Sequence, residues 1–181
     1  EMAGFSNNSA TTNIHILWHP SLSEASNHEV VELFEKIMTD EIRLDVLCLE
    51  GSVICGPQGS GAFHILAGTN TSMMHWVKAL AAKAQYVAAV GSCAAFGGIT
   101  SAGDNIVEEM GLQYEGAQRG GLLGADWRSK ADFPVINIAG CPTHPSWVID
   151  TLMQLALGGL ALEQLDELNR PCSYTNHLAH H

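Results

Sequence analysis

Two short apolar runs, each followed by a glycine-flanked cysteine, constrain this sequence more than any other feature. The run Ala88–Val90 precedes Cys93, and the run Val135–Ile138 precedes Cys141. Short apolar runs bounded by glycine and proline are typical of buried parallel strands. Because ligands of open α/β sheets bind beyond the carboxyl ends of the strands, the two thiols predict a shared site for a soft metal. Iron–sulfur chemistry is the main candidate for that site.

The same two cysteines also have an ordinary structural interpretation. Free cysteine is among the most buried residue types and often packs as a small hydrophobic side chain. Cys93 and Cys141, however, follow their strands in glycine-flanked turns, where packing gains little. The pattern alone leaves ligation and packing equally open, and two thiols are half of the four ligands that a cluster needs.

Apolar periodicity alternates between strand and helix along most of the chain. The alternation predicts a parallel sheet of about four strands covered on both faces, a flavodoxin-like three-layer α/β sandwich. Cys48, inside the second strand, is expected to be a core residue. The predicted strands are 13–18, 44–49, 86–91 and 133–140, and the main predicted helices are 26–39, 73–84 and 146–157.

Three further segments carry possible chemistry. Glu50 ends the second predicted strand at the same edge as the cysteines, so it either bonds to the backbone of the next loop or carries protons. The turn Gly56–Gly61 resembles an anion cradle weakly, because it lacks the Lys-Ser/Thr of a P-loop. Residues 101–132 are broken by glycines and predict a long loop that is functional or covered by a partner.

Composition excludes some classes of function. The formal charge of −11, from 8 basic and 19 acidic residues, argues against binding to nucleic acid or to an anionic membrane. No apolar run reaches the roughly 18 residues of a membrane-spanning helix. The five cysteines are an odd number without a dense framework, which favours reduced thiols or metal ligands over disulfides.

Several segments, in order, resemble the flavodoxin-like domain of the small, electron-transferring subunit of [NiFe] hydrogenases. The similarity is greatest to soluble uptake and hydrogen-sensing members, and it covers nearly the whole chain from about Ile14. The segments are Leu17–Leu22, Leu49–Gly51, Val90–Gly98 and Ile138–Pro142, with Gly120–Gly124 and Asn169–Pro171 in support.

The resemblance implies a hydrogen:acceptor oxidoreductase that works as a heterodimer, in which this chain alone is inactive. It implies a large-subunit partner with the Ni–Fe centre, and several iron–sulfur clusters in the small subunit. Cys93 and Cys141 match two ligands of the proximal [4Fe–4S] cluster, and Glu50 matches a position on a possible proton path. His180 matches a histidine ligand of the distal cluster. The electron acceptor, a protein or a quinone, is left open, and the protein is expected in the cytoplasm or on a membrane through partners.

The sequence departs from that family pattern in its cysteines. The other two proximal ligands come from an upstream Cys-x-x-Cys, and none occurs in this chain. We therefore expect a chain truncated at both ends. Its domains would be residues 1–168, the flavodoxin-like iron–sulfur domain, and residues 169–181, the start of a C-terminal cluster-binding region.

Three other functions compete with the hydrogenase hypothesis. The related cluster subunit of respiratory NADH dehydrogenase would show an adjacent cysteine pair and a more basic chain. A flavin-binding electron-transfer module would carry a Ser/Thr-rich phosphate loop where this chain has His19–Leu22. A non-catalytic interaction scaffold would use Cys93 and Cys141 only for packing.

Overall fold

The computed structural model describes residues 14–175, in which helices alternate with strands as the sequence predicts. Three of the strands, Val46–Glu50 (β1), Tyr86–Val90 (β3) and Ile136–Ile138 (β7), form a parallel sheet in the order β1-β3-β7, which confirms the α/β class. In chain order the elements are α1 (His28–Met38), β1 (Val46–Glu50), β2 (Val53–Ile54), α2 (Met73–Lys83), β3 (Tyr86–Val90), α3 (Gly91–Phe96), β4 (Glu109–Met110), β5 (Tyr114–Glu115), β6 (Gln118–Arg119), β7 (Ile136–Ile138), α4 (Pro145–Ala156), a 3₁₀ turn (Leu162–Gln164) and α5 (Cys172–Thr175).

The sheet is covered on both faces because its side chains alternate between two cores. On one face, Leu47 and Ala89 join a cluster with side chains of α1 and α2. On the other face, Ala88 and Ile138 join a cluster with Trp147 of α4 and with Tyr174. The helix–sheet–helix layers agree with the flavodoxin-like sandwich predicted from the alternation.

The predicted first strand is wrong within the described residues. Residues 14–18 lie outside any sheet, so the parallel sheet there has three strands rather than four. Ile16 and Leu17 are each 44% exposed, whereas Trp18 packs edge-on against Phe34 of α1 with ring centroids 6.1 Å apart. An apolar run becomes a strand only when its backbone finds a hydrogen-bonding neighbour, and this one packs through its tryptophan instead.

The prediction that Cys48 belongs to the core is also wrong. As a residue it is exposed in the described part of the chain, although it sits in the middle of β1 and burial by the surrounding atoms raises the pKa of its thiol to about 11. Cys48 lies opposite Ala88 in the register of β1 and β3, on the outer strand of the sheet that the described residues form.

The glycine-rich segment 101–132 contains more structure than a loop. Its β4 pairs antiparallel with β2, and β5 and β6 form a short hairpin. Leu112 and Tyr114 are almost completely buried, so this segment contributes to the core as well as to the surface. Among the described helices, none combines the length and the apolar character that crossing a bilayer requires.

Candidate functional site at the carboxyl edge of the sheet

The structure brings the two predicted cysteine turns together. β3 and β7 are parallel neighbours, and Val90 lies opposite Ile138 in their register. Cys93 and Cys141 each follow that residue pair by three positions. The two thiols therefore leave the same edge of the sheet on neighbouring strands.

The two turns are also hydrogen-bonded to each other. The Ser92 backbone N–H donates to the Gly140 carbonyl at 2.9 Å. The Gly140 N–H donates back to the Ser92 Oγ at 3.2 Å. Behind the second turn, the Thr143 hydroxyl donates to the Ile138 carbonyl at 3.2 Å. These bonds fix the backbones of both turns beyond the end of the strand ladder.

Glycines allow the chain to turn directly from β3 into the first thiol. Gly91 has a φ of +89°, which side-chain-bearing residues rarely adopt, and helix α3 begins there. A Cβ on Gly98 would overlap the Cys93 Sγ, so glycine at that position leaves room for the thiol. The Cys141–Pro142 peptide bond is cis.

The two thiols differ in their exposure. Cys93 is half-buried in the first turn of α3, and Cys141 is exposed. A ligand at this edge would therefore be held on one side by the protein and would be open on the other side.

Glu50 lies at the same edge, because it ends β1 directly opposite Val90. Its side chain is exposed. Within residues 14–175 the Glu50 carboxylate has no hydrogen-bond partner, so the bond to the following loop that the sequence left open is not formed there. The loop after β1 instead approaches the loop after α3, where Ser52 Oγ and Thr100 Oγ1 lie 3.4 Å apart.

The remaining predicted site residue and the other cysteines lie elsewhere. His180 is outside the described residues. Cys55 is buried, its thiol donates to the Val53 carbonyl at 3.6 Å, and burial raises the pKa of that thiol. Cys172 begins α5. None of these positions adds a third thiol to the Cys93–Cys141 pair.

The donor atoms at this edge do not complete a four-ligand cluster within the described residues. In the part of the chain that the structure describes, no group of three or more His, Cys, Asp or Glu side chains is arranged to hold a metal ion. A [4Fe–4S] cluster takes about four such ligands. Cys93 and Cys141 fit as one half of that set and do not hold the whole cluster by themselves.

Sequence reasoning missed the occupant of the glycine-rich turn Gly56–Gly61. The Glu108 carboxylate accepts the Gln58 N–H at 2.7 Å and the Gly59 N–H at 2.8 Å. The anion that this turn holds is thus a side chain of the same protein. The weak cradle pattern pointed to an anion, but nothing local identifies a carboxylate that lies about fifty residues away in the sequence.

Three large apolar side chains are exposed on loops, and one of them directly follows the Cys93 turn. Ile99 and Ile106 are each 83% exposed, and Phe63 is 56% exposed. Ile99 directly follows Gly98, the glycine packed against Cys93, and the Gly56 N–H bond to the Val107 carbonyl at 3.0 Å joins the loops that carry Ile106 and Phe63. We call Phe63, Ile99 and Ile106 the apolar rim.

Comparison with known proteins connects this geometry to one family. A sequence model of the family described as "NADH ubiquinone oxidoreductase, 20 Kd subunit" matches residues 3–155. The F420 non-reducing hydrogenase II small subunit of Methanosarcina mazei is 32% identical over 181 residues, which cover 88% of this chain and 45% of that relative. The hydrogenase-2 small chain of Escherichia coli is 29% identical over 167 residues, which cover 92% of this chain and 40% of that relative.

A solved structure agrees with the sequence comparisons. The actinobacterial-type NiFe-hydrogenase from Ralstonia eutropha superposes with a TM-score of 0.69 at 31% identity, over 84% of this chain and 45% of the matched chain. The chain spans less than half the length of these relatives. The resemblance to [NiFe] hydrogenase small subunits stated from the sequence is confirmed.

Proposed function

The chain belongs to the family of the NADH ubiquinone oxidoreductase, 20 Kd subunit, and from that premise we propose that it is the electron-transferring small subunit of a [NiFe] hydrogenase. The hydrogenase small subunits named among its relatives support this branch of the family. The formal charge of −11 supports it too, because the respiratory subunit is expected to be more basic. The observation that carries the proposal is the pair of cysteine turns that are hydrogen-bonded side by side at one edge of the sheet.

In this function, Cys93 and Cys141 supply two thiolate ligands of the proximal [4Fe–4S] cluster, and the other two ligands come from outside this pair. Such a cluster, when bound, carries electrons one at a time away from hydrogen oxidation in the large subunit. The residues of this chain provide the setting for it. Rigid turns fix the thiolates, and hydrogen bonds to the sulfurs would tune the potential of a bound cluster.

The same proposal assigns functions to other residues of the chain. The apolar rim of Phe63, Ile99 and Ile106 docks the large subunit, because burying it removes an exposed apolar surface and excludes water from the site. Glu50, exposed at the same edge, exchanges protons at its carboxylate. His180 serves as a ligand of a distal cluster, and residues 169–181 begin the region that holds it.

The proposal places the protein in a heterodimer with a hydrogenase large subunit, with further iron–sulfur clusters between this edge and an electron acceptor. The acceptor is a protein or a quinone. The heterodimer resides in the cytoplasm or reaches a membrane through its partners.

The test is anaerobic co-purification of the full-length gene product with its large subunit, followed by iron and sulfide counting, EPR and hydrogen-dependent dye reduction. Cys93→Ser and Cys141→Ser are compared with Cys172→Ser, a matched control because Cys172 is a half-buried thiol in α5. We expect either site variant to lose one cluster signal and dye reduction, and the control to keep both. A wild type without iron, or site variants that equal the control, would overturn the proposal.

The same preparation separates the alternatives. A bound flavin, seen as a yellow colour with flavin fluorescence, would favour the flavin module. Partner binding and redox activity that survive serine at both Cys93 and Cys141 would favour the interaction scaffold.

A further inference from the structure

The serine that lies just before the first thiol ties the two cysteine turns together. Ser92 donates its backbone N–H to the Gly140 carbonyl at 2.9 Å, and its Oγ accepts the Gly140 N–H at 3.2 Å. These two bonds close a ring between the residue before Cys93 and the residue before Cys141. We propose that Ser92 is a positioning residue that holds Cys93 and Cys141 as a preformed dithiol for a thiophilic metal centre, before any metal binds.

The side chain of Ser92 matters because regular strand pairing has ended at this point. The ladder between β3 and β7 stops at Val90 and Ile138. Beyond the end of the ladder, the Ser92 hydroxyl accepts a hydrogen bond from the Gly140 N–H. In a longer ladder, a backbone carbonyl would have accepted that bond. Alanine at this position keeps the backbone bond but cannot accept the Gly140 N–H.

Each thiol-bearing turn is also restrained from its other side. The Thr143 hydroxyl bonds to the Ile138 carbonyl at 3.2 Å behind Cys141, and Gly98 packs against the Cys93 thiol. Among the described residues, the only hydrogen bonds between the two turns are the two Ser92–Gly140 bonds. Two thiolates presented in this way suit soft metals, which prefer sulfur ligands.

The inference rests on the proposed function only for the identity of the metal centre. The two Ser92–Gly140 bonds involve only protein atoms, so the test needs neither a cluster nor hydrogenase activity. Failure of the hydrogenase assays would not contradict the role proposed for Ser92. Failure of the Ser92 test would not contradict the cluster assignment, which the separate experiment above tests.

The probe is phenylarsine oxide, added to the full-length metal-free protein. Its arsenic bonds to two thiols only when side-chain rotation about the fixed backbones brings both to the same atom. Two S–As bonds then form, both thiol protons pass to the oxide oxygen, that oxygen leaves as water, and no atom changes oxidation state. Peptide mapping by mass spectrometry identifies the bridged pair, and competition with a monothiol gives the affinity.

We expect the wild type to form a bridged adduct that joins Cys93 to Cys141, which the peptide map distinguishes from adducts of any other cysteine pair. Ser92→Ala should bind the probe about fivefold more weakly, because a hydrogen bond of about 1 kcal/mol is lost and 1.4 kcal/mol corresponds to about tenfold. Ser92→Thr keeps the hydroxyl and should restore most of the affinity. Ser129→Ala is the matched control, since Ser129 Oγ also accepts a backbone N–H, from Phe133, at 3.2 Å at the opposite end of β7.

Two results would overturn the inference. One is a Ser92→Ala protein that binds the probe as tightly as the wild type does. The other is a wild type that forms no bridged adduct, which includes the case in which the metal-free protein does not fold. Should Ser92→Ala itself fail to fold, hydrogen exchange of the wild type decides, because the Gly140 amide must be protected without metal and a freely exchanging Gly140 amide refutes the proposal.

Discussion

The buried amide of Gln113 gives the sharpest prediction about stability. Gln113 is 1% exposed. Its Nε2 donates to the carbonyls of Ala125 and Trp127 at 3.1 and 2.9 Å. Its Oε1 accepts the Val135 N–H at 2.9 Å and the Asn169 Nδ2 at 3.3 Å. One side chain thus ties the glycine-rich segment to the residue before β7 and to the C-terminal loop.

Replacing Gln113 by leucine keeps roughly the same volume and removes all four hydrogen bonds. Two carbonyls and the Val135 N–H then lose a partner, and an unsatisfied buried group costs about 1–3 kcal/mol. The bond to Asn169 is longest and adds least. We expect a loss of about 3–5 kcal/mol in the free energy of unfolding, which is a large part of the 5–15 kcal/mol typical of a domain.

Urea unfolding followed by circular dichroism measures this loss. At a slope of about 2 kcal/mol per molar urea, Gln113→Leu should lower the midpoint by about 2 M. Gln118→Leu is the matched control, because Gln118 is exposed in β6 and surface substitutions usually stay within about 0.5 kcal/mol. A Gln113→Leu protein within 1 kcal/mol of that control would refute the reasoning.

Three further predictions concern the rest of the fold. Glu108→Gln should lower the free energy of unfolding by about 1–2 kcal/mol, because it weakens two charge-assisted bonds to the glycine-rich turn. Glu163→Gln, an exposed site, should change it little in the same urea series, and equal effects would contradict the role of Glu108. Burial raises the pKa of the Cys55 thiol, so the unfolded chain releases that proton first and stability should fall as the pH rises above about 8.5. Cys55→Ala should flatten that fall in urea midpoints measured against pH, and an unchanged slope would count against it. Burial likewise raises the pKa of Tyr174, whose hydroxyl donates to the Asn137 carbonyl at 3.2 Å. Tyr174→Phe should therefore lose about 1 kcal/mol at neutral pH and less above about pH 10, and a loss that grows with pH would be the contrary result.

The features that the sequence predicted well are those that depend on patterns of neighbouring residues. The apolar period of α1 and the short apolar runs of β1 and β3 require no information from distant residues. The meeting of Cys93 and Cys141 followed from a general rule, because parallel neighbours end at one edge. Only their register, with Val90 opposite Ile138, needed the structure.

The features that the sequence could not predict depend on partners far along the chain. The burial of Gln113 depends on Asn169, and the function of the Gly56–Gly61 turn depends on Glu108. The apolar segment before His19 has the composition of a strand but pairs with no neighbour in the described residues. Cys48 looks like a core residue until the sheet order shows that β1 is the outer strand of the sheet that the described residues form.

The two thiols are equally spaced from the ends of their strands. Their alignment at this edge therefore depends on the length of the two turns more than on the side chains within them. Three positions separate Val90 from Cys93, and three separate Ile138 from Cys141. The register of the two strands therefore also aligns the two thiols. A side chain exchanged within either turn leaves that spacing intact. Inserting or deleting one residue in either turn shifts its thiol by up to about 3.8 Å, the distance between consecutive Cα atoms. The two sulfurs then no longer lie side by side. In an engineered or natural variant of this chain, an insertion of a single residue would therefore disable the dithiol more surely than most substitutions.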